Sequence, residues 1–363
     1  LIKRASEFFR KHFENCERSA TVIREMHSAR TPASVDVVGV GNNATDTIIR
    51  LPHFPTLDSK VEIRSSEVRA GGQVASAIVA CRRWGLSNRY VGKVGDDAAG
   101  RFQIEEMRRE EVDAHWIVTG RCASQTSYIL VDETSGERTV LWNRDSSIAL
   151  HATDLKREWI SDARVLLVDG HDTEAATQAA RWAREESIPV VGDFDNRYPG
   201  VEGLLEYVDF AITSQSFPER LTGEKDLLKA LPEICRRFKC RMAGATLGRM
   251  GALSWDGEQF LLSPAYRVRA VDTTGAGDIF HGGFLLGLLR GWQPEEILEF
   301  SCAAAALNCT APGARGHIAT LDEIEKFRRN ASRSELAYTR ESLSAARRAA
   351  AFATGKSTCE PRP

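Results

Sequence analysis

The chain has 363 residues, with 48 basic and 50 acidic side chains and a formal net charge of −2. That near-balance gives no basis for nucleic acid or an anionic membrane surface as a partner. No apolar run reaches the roughly 20 residues needed to span a bilayer, so no membrane segment is expected. The eight cysteines (16, 81, 122, 235, 240, 302, 309 and 359) form no C-x-x-C pair and show no zinc-ligand spacing. They read as free thiols packed as small hydrophobes in a reducing cytoplasm.

Residues 1–32 carry Phe8, Phe9 and Phe13 interrupted by Arg10 and Lys11, with several glutamates, and read as a helical extension without a signal-peptide pattern. From Val35 the chain alternates short β-branched runs with amphipathic stretches. The strand-like runs are Val35–Gly41, Tyr90–Val94, Val165–Asp169, Pro189–Asp193, Val208–Ile212 and Met242–Thr246. Helical periodicity marks Gln73–Trp84, Glu174–Glu186 and Asp226–Phe238. Such alternation predicts an α/β domain over residues 33–327, its mainly parallel sheet covered by helices on both faces. Two places break the rhythm. Thr45–Leu51 and Val61–Arg69 are extended with no helix between them, and Tyr128–Asp132 and Arg138–Trp142 flank a turn at Glu133–Gly136. These segments, within about 45–69 and 125–144, predict a small separate sheet acting as a lid. Residues 328–363 are basic and rich in Ala and Arg, and are expected to form a mobile tail in which helical pieces such as Glu341–Ala351 can form.

The stretch that carries the chemistry is Asp272-Thr273-Thr274-Gly275-Ala276-Gly277-Asp278-Ile279-Phe280. It follows an extended segment, Tyr266–Val271, and opens onto an apolar helix. Gly275, Ala276 and Gly277 have almost no side chain, so their N–H groups at a helix N-terminus can approach an anion closely. Asp278, in the same turn, would face the same space. A transferring phosphoryl group needs fixed dipoles for its oxygens and a carboxylate to take the proton of the attacking hydroxyl. The bland alternative is a glycine-rich N-cap with Asp278 as a capping residue. No G-x-x-x-x-G-K-[ST] loop occurs, which excludes a P-loop enzyme.

The 272–280 motif resembles the carboxyl-terminal signature of PfkB/ribokinase-type sugar kinases, and the likeness extends over roughly residues 35–325. It implies a three-layer α/β/α ribokinase-like fold with a β-lid, and an ATP- and Mg2+-dependent kinase for a small sugar. Asp278 would be the base, and Gly275, Ala276 and Gly277 the anion hole. Asp46 would bind sugar hydroxyls, with Gly71, Gly72 and Gln73 beside it and Lys60 as an anion contact on the lid. Thr246, Gly248 and Gly251 resemble the loop near the nucleotide phosphates, and Cys302 and Gly313 the elements flanking adenine. Asp272 and Thr274 sit where a monovalent cation such as K+ would bind. Pairing of lid edges implies a homodimer. Rival readings are a nucleoside kinase of the same fold and a catalytically silent sugar-binding regulator.

The sequence also departs from the family pattern. Ser76 stands where an asparagine is usual. The N-x-x-E motif that organises magnesium is Ser214-Gln215-Ser216-Phe217, and whether Glu219 substitutes is left open. Cys309–Arg315 and Phe280-His281-Gly282 resemble the ketohexokinase and sulfofructose-kinase branch, which tilts the substrate toward a ketose. His171, however, stands where an arginine for a sulfonate is expected, leaving Lys60 and Arg144 as anion contacts.

Overall fold

The computed structural model describes residues 34–134 and 138–353. The expected N-terminal extension lies outside them, as do Cys16, Cys359 and part of the 133–136 turn. In chain order the strands are β1 (Val35–Val40), β2 (Ala44–Leu51), β3 (Ser65–Gly71), β4 (Asn88–Gly95), β5 (Asp113–Thr119), β6 (Thr126–Asp132), β7 (Arg138–Asn143), β8 (Ala163–Asp169), β9 (Val190–Phe194), β10 (Phe210–Ser214), β11 (Met242–Thr246), β12 (Ala252–Trp255) and β13 (Phe260–Ser263). The helices are α1 (Gln73–Arg83), α2 (Ala98–Arg109), α3 (Thr173–Glu185), α4 (Val201–Leu205), α5 (Phe217–Thr222), α6 (Leu227–Phe238), α7 (Ala276–Arg290), α8 (Pro294–Asn308), α9 (Leu321–Asn330) and α10 (Arg340–Ala353).

A nine-stranded sheet runs β13-β12-β11-β10-β9-β8-β1-β4-β5. It is parallel from β11 to β5, and the hairpin β12–β13 continues it antiparallel at one edge. The central strands are apolar on both faces because helices cover both, giving two large hydrophobic clusters. In one of them α1, α7 and α8 pack closely through small residues: a Cβ on Gly282 would lie 3.0 Å from Ala80, and one on Gly283 2.9 Å from Ser301 Cα.

The second sheet, β3-β2-β6-β7, forms the lid over the carboxyl ends of the main strands. Strand alternation gives it two faces. One row across it is Arg69–Asp46–Ser127–Trp142, on the side of the main sheet; the next is Val68–Thr47–Tyr128–Leu141, on the outside. Ile48, Ile129 and Val131 make its small core.

The sequence pattern and the structure differ in three places. Strand β5 and the β12–β13 hairpin were not foreseen; β5 lies at an edge and is only partly buried, so its apolar pattern is weak. The segment 266–271, expected to be extended into a strand, is irregular, with Tyr266 alone bridging to Arg333. The tail expectation is corrected as far as Ala353. Helix α10 packs on α6, with Tyr338, Leu343 and Ala350 against the core and Arg347 Nε donating to Glu258 O at 2.9 Å. The helical piece read at Glu341–Ala351 is present, and what the basic composition did not show is its docking on α6.

Candidate active site

A cleft of about 840 Å³ lies between the lid and the carboxyl ends of β1, β8, β9, β10 and β11. Ligands of open parallel sheets bind at that edge, because the strand ends and helix N-termini converge there. Helix α7 begins at the cleft floor. Its N-cap, Gly275, has φ +73°, and a Cβ there would meet Ala314 O at 2.1 Å, so only glycine lets the turn sit against the 313–315 loop. Asp272 ties the turn: its Oδ1 accepts from Thr274 N–H (2.8 Å) and Oγ1 (2.7 Å), and its Oδ2 from Gly313 N–H (2.8 Å). Buried Asn308 donates to both Thr274 O and Ala314 O at 3.2 Å. The first N–H groups of the helix thereby face the cleft with a fixed geometry.

Asp278 lines the same cleft. Burial, then the neighbouring Asp193 carboxylate, pushes its pKa up to about 8, against a smaller opposing effect of His281. The raised value marks a carboxylate with high proton affinity, as a general base requires. His281 is fixed behind it, with Nδ1 2.8 Å from Gly277 O and 3.4 Å from Asp193 Oδ2, and Nε2 3.2 Å from Ile212 O. Burial lowers its pKa, opposed by the two carbonyl oxygens. Asp193 itself is raised, by burial first and then by Asp195 and Asp169, and hydrogen-bonds to Gln73.

Asp46 projects from the lid into the other side of the cleft. Burial pushes its pKa up to about 6, moderated by a hydrogen bond to Ser127 and by the charge of Arg315. Gly71 is glycine for lack of room: a Cβ there would lie 1.9 Å from Asp46 Oδ2. Gly72, at φ +90°, caps α1 and lines the cleft with Gln73. Gln73 Oε1 and Gln125 Oε1 are buried without a hydrogen-bond partner among the described residues, leaving acceptors near Asp46. Trp142, His171 and Tyr198 close this end, with His171 Nε2 3.2 Å from Tyr198 OH. Where asparagine was expected, the Ser76 hydroxyl accepts from Arg315 Nε (3.3 Å), and Arg315 Nη2 donates to Gly71 O (3.2 Å).

At the opposite end the cleft is lined by Thr246, Gly248, Arg249 and Gly251, then by Ala265–Val268, Cys302, Ala305, Ala306 and Cys309. Thr246 Oγ1 donates to Thr213 O (3.3 Å), and Leu247 N–H to Gly251 O (2.7 Å), closing the loop. Gly313 does not line the cleft; it carries the N–H that holds Asp272.

Some residues are not brought together as expected. Lys60 is exposed in the β2–β3 connection and does not line the cleft. Arg144 is not a free anion contact: its Nη2 donates to both Asp172 oxygens, at 2.7 and 2.5 Å. Phe217 is fully buried and stacks on Phe194, with centroids 5.4 Å apart, and Glu219 is exposed outside the cleft, so neither replaces the motif glutamate. The acidic groups there come from the next strand, as Asp193 and Asp195 at the end of β9. Sequence reasoning passed over both, although an apolar parallel strand ending in aspartate points to a polar edge. It also missed Arg138, which reaches from β7 to hydrogen-bond Thr273 Oγ1.

Comparison with known proteins agrees with this geometry. Residues 35–321 match the pfkB family carbohydrate kinase domain. A 5-dehydro-2-deoxygluconokinase from Geobacillus thermodenitrificans is 24% identical over 317 residues, covering 81% of this chain and 93% of that protein. An ATP-dependent ribose-1-phosphate kinase from Halopiger xanaduensis is 26% identical over 298 residues, covering 81% and 98%. The ribokinase of Thermotoga maritima has the same fold, with a TM-score of 0.71 at 24% identity over 82% of this chain and 100% of that one. With the matched domain spanning most of its length, the chain belongs to the pfkB family of carbohydrate kinases and is a phosphotransferase.

Proposed function

We propose that the protein transfers the γ-phosphoryl group of ATP to a primary hydroxyl of a small sugar, a ketose or related compound, with Asp278 as general base. One observation carries this reading. Asp278 stands at the α7 N-terminus between the hydroxyl-binding groups Asp46, Gln73, Gln125 and Ser127 and the Thr246–Gly251 loop, in one continuous cleft. The sugar lies under the lid, its hydroxyls held by Asp46 and the unpartnered glutamine oxygens. Its reacting hydroxyl gives its proton to Asp278 as the oxygen bonds to the γ-phosphorus and the bond to the ADP oxygen breaks. The N–H groups of Gly275–Gly277 meet the charge on the equatorial oxygens.

Mg2+ would neutralise charge on the β- and γ-phosphates. Among the described residues no group of three or more His, Cys, Asp or Glu side chains is gathered as a metal cage. A magnesium ion carried on phosphates needs only one or two protein carboxylates, and Asp195 with Asp193 fit that need. Potassium activation at Asp272 and Thr274 is a subsidiary proposal, tested by replacing KCl with an organic cation.

A second reading, a nucleoside kinase, is favoured by the three rings of Trp142, His171 and Tyr198 at the sugar end, which could receive a flat base. One assay separates them: ADP release from MgATP across ketoses, aldoses, deoxy-sugar acids, adenosine and inosine, with Asp278→Asn alongside. Turnover on a sugar, lost in the variant, supports the first reading; turnover on nucleosides alone supports the second.

We also propose a homodimer through the lid. Val68, Tyr128 and Leu141 lie in one row on its outer face, each more than half exposed. Light scattering after chromatography should show a dimer, and Leu141→Asp a monomer; an unchanged mass would remove this surface as the interface. The six described cysteines are free, in keeping with a reducing compartment, and no described helix is long and apolar enough to cross a membrane.

A further inference from the structure

The family match ends at residue 321, yet the cleft is lined in part by a residue beyond it, Ser334. After α9 the chain crosses back over Ala265–Arg267. Arg267 N–H donates to Ser332 O (2.9 Å), Ser334 N–H donates to Ala265 O (2.8 Å), and Tyr266 and Arg333 form an antiparallel bridge. Arg333 fastens the crossing. Its Nη2 donates to Ser263 Oγ (2.9 Å) and Pro264 O (2.7 Å), and its Nη1 to Tyr266 OH and Glu299 Oε1, both at 3.1 Å. The guanidinium lies 4.1 Å from the Tyr266 ring centroid. So many directed contacts from one side chain fix the backbone position of its neighbour.

That neighbour is Ser334. It lines the cleft at the same end as Ala265, Tyr266, Cys302, Ala305 and Ala306, and its Oγ is buried with no hydrogen-bond partner among the described residues. Apart from Tyr266, whose hydroxyl is taken by Glu299 and Arg333, these side chains are small and largely apolar, which suits a flat heteroaromatic ring and supplies few polar atoms to read its edge. An unmatched buried hydroxyl on such a wall is costly unless a ligand completes it.

We propose that Ser334, held by the crossing of residues 332–334, forms part of the wall of the nucleotide-base subsite, with its Oγ hydrogen-bonding the purine of ATP. That part of the wall thus belongs to the segment after the family domain. The inference rests on the reading above, that this end of the cleft takes ATP.

The test uses the full chain and two probes, MgATP and magnesium tripolyphosphate, which shares the phosphates and lacks the base. Their dissociation constants are measured by calorimetry for wild type, Ser334→Ala, Ser334→Leu and Ser334→Trp. Loss of one hydrogen bond in Ser334→Ala should weaken ATP about fivefold, leaving tripolyphosphate unchanged. The bulk of Ser334→Trp should weaken ATP at least about 20-fold, with Ser334→Leu intermediate and the sugar KM within about twofold of wild type. Leucine serves as the steric test if the tryptophan variant does not fold. ATP affinity unchanged in both bulky variants overturns the wall. Equal weakening of both probes also overturns it, since the effect would not be at the base. A wild type that turns over sugar but binds ATP no better than tripolyphosphate would leave the kinase reading standing and remove the base subsite. A wild type that binds neither probe fails the kinase reading itself.

Discussion

Asp278→Asn should make the ligand-free protein more stable while removing catalysis. The carboxyl pKa is raised in the fold from 3.8 to about 8, chiefly by burial. Below the unfolded-state value both states are protonated and the group has no effect. As pH rises the unfolded chain ionises first, so stability falls until the folded carboxyl also ionises near pH 8, and then levels off. At about 1.36 kcal/mol per pH unit, a shift of roughly four units sets a ceiling of about 5–6 kcal/mol at pH 8. The side chain is partly open to the cleft, and water there reduces this to about 2–3 kcal/mol. Asparagine keeps the shape and cannot ionise. Melting temperatures of the two proteins, measured without ligands at pH 4 and pH 8, should differ by only about 1 °C at pH 4, where the unfolded carboxyl has just begun to ionise. At pH 8 the variant should melt several degrees higher, at about 2 °C per kcal/mol for a chain of this size. Turnover in the same variant should fall at least about 10³-fold. A variant that melts at or below wild type at both pH values would refute the argument that the site holds its base at a cost in stability.

Three further outcomes are expected. Asp46, pushed up to about 6, accepts from sugar hydroxyls far more strongly when ionised, so the sugar KM should rise as pH falls below 6 and lose that dependence in Asp46→Asn. A pH-independent wild-type KM between pH 5 and 8 would separate Asp46 from the sugar. Gly275→Ala meets both the left-handed φ of +73° and the contact with Ala314 O, and should lower stability by at least about 1–2 kcal/mol and kcat about 100-fold; near-normal kcat would show that the turn tolerates displacement. Phe217→Glu, which restores the family glutamate in sequence, should bury an unpaired charge beside Phe194 and cost at least about 3–5 kcal/mol. A stable, more active variant would mean that this side chain can reach the cleft.

Much of the fold is legible because parallel strands buried on both faces need β-branched runs, and the helices between them need apolar stripes. Strands β1, β4, β8, β9 and β10 satisfy that rule and, with the small-residue strand β11, are found where the sequence places them. Strand β5 fails it, because an edge strand need not be apolar on either face. At the site, the 272–280 motif is contiguous and so recognisable in the sequence, although Asn308 and Gly313 fasten its turn. Asp193, Asp195 and Arg138 belong to separate segments that meet only in three dimensions. Arg144 shows the reverse: its residue type suggested an anion, and Asp172, 28 positions away, had already claimed it. Ser334 carries no signal in the sequence, because it reaches the cleft only through a backbone crossing with Ala265.

Asp46 is part of the lid itself, on β2, rather than of the main sheet beneath it. On the function proposed above, any movement of the lid would carry with it the carboxylate assigned to the sugar. Recognition and shelter from water become one displacement. On that reading, a molecule lacking the hydroxyls assigned to Asp46 would not draw the cover down, and ATP would be left without the floor and roof in register. Discrimination against water as a phosphoryl acceptor would follow from the placement of a single strand.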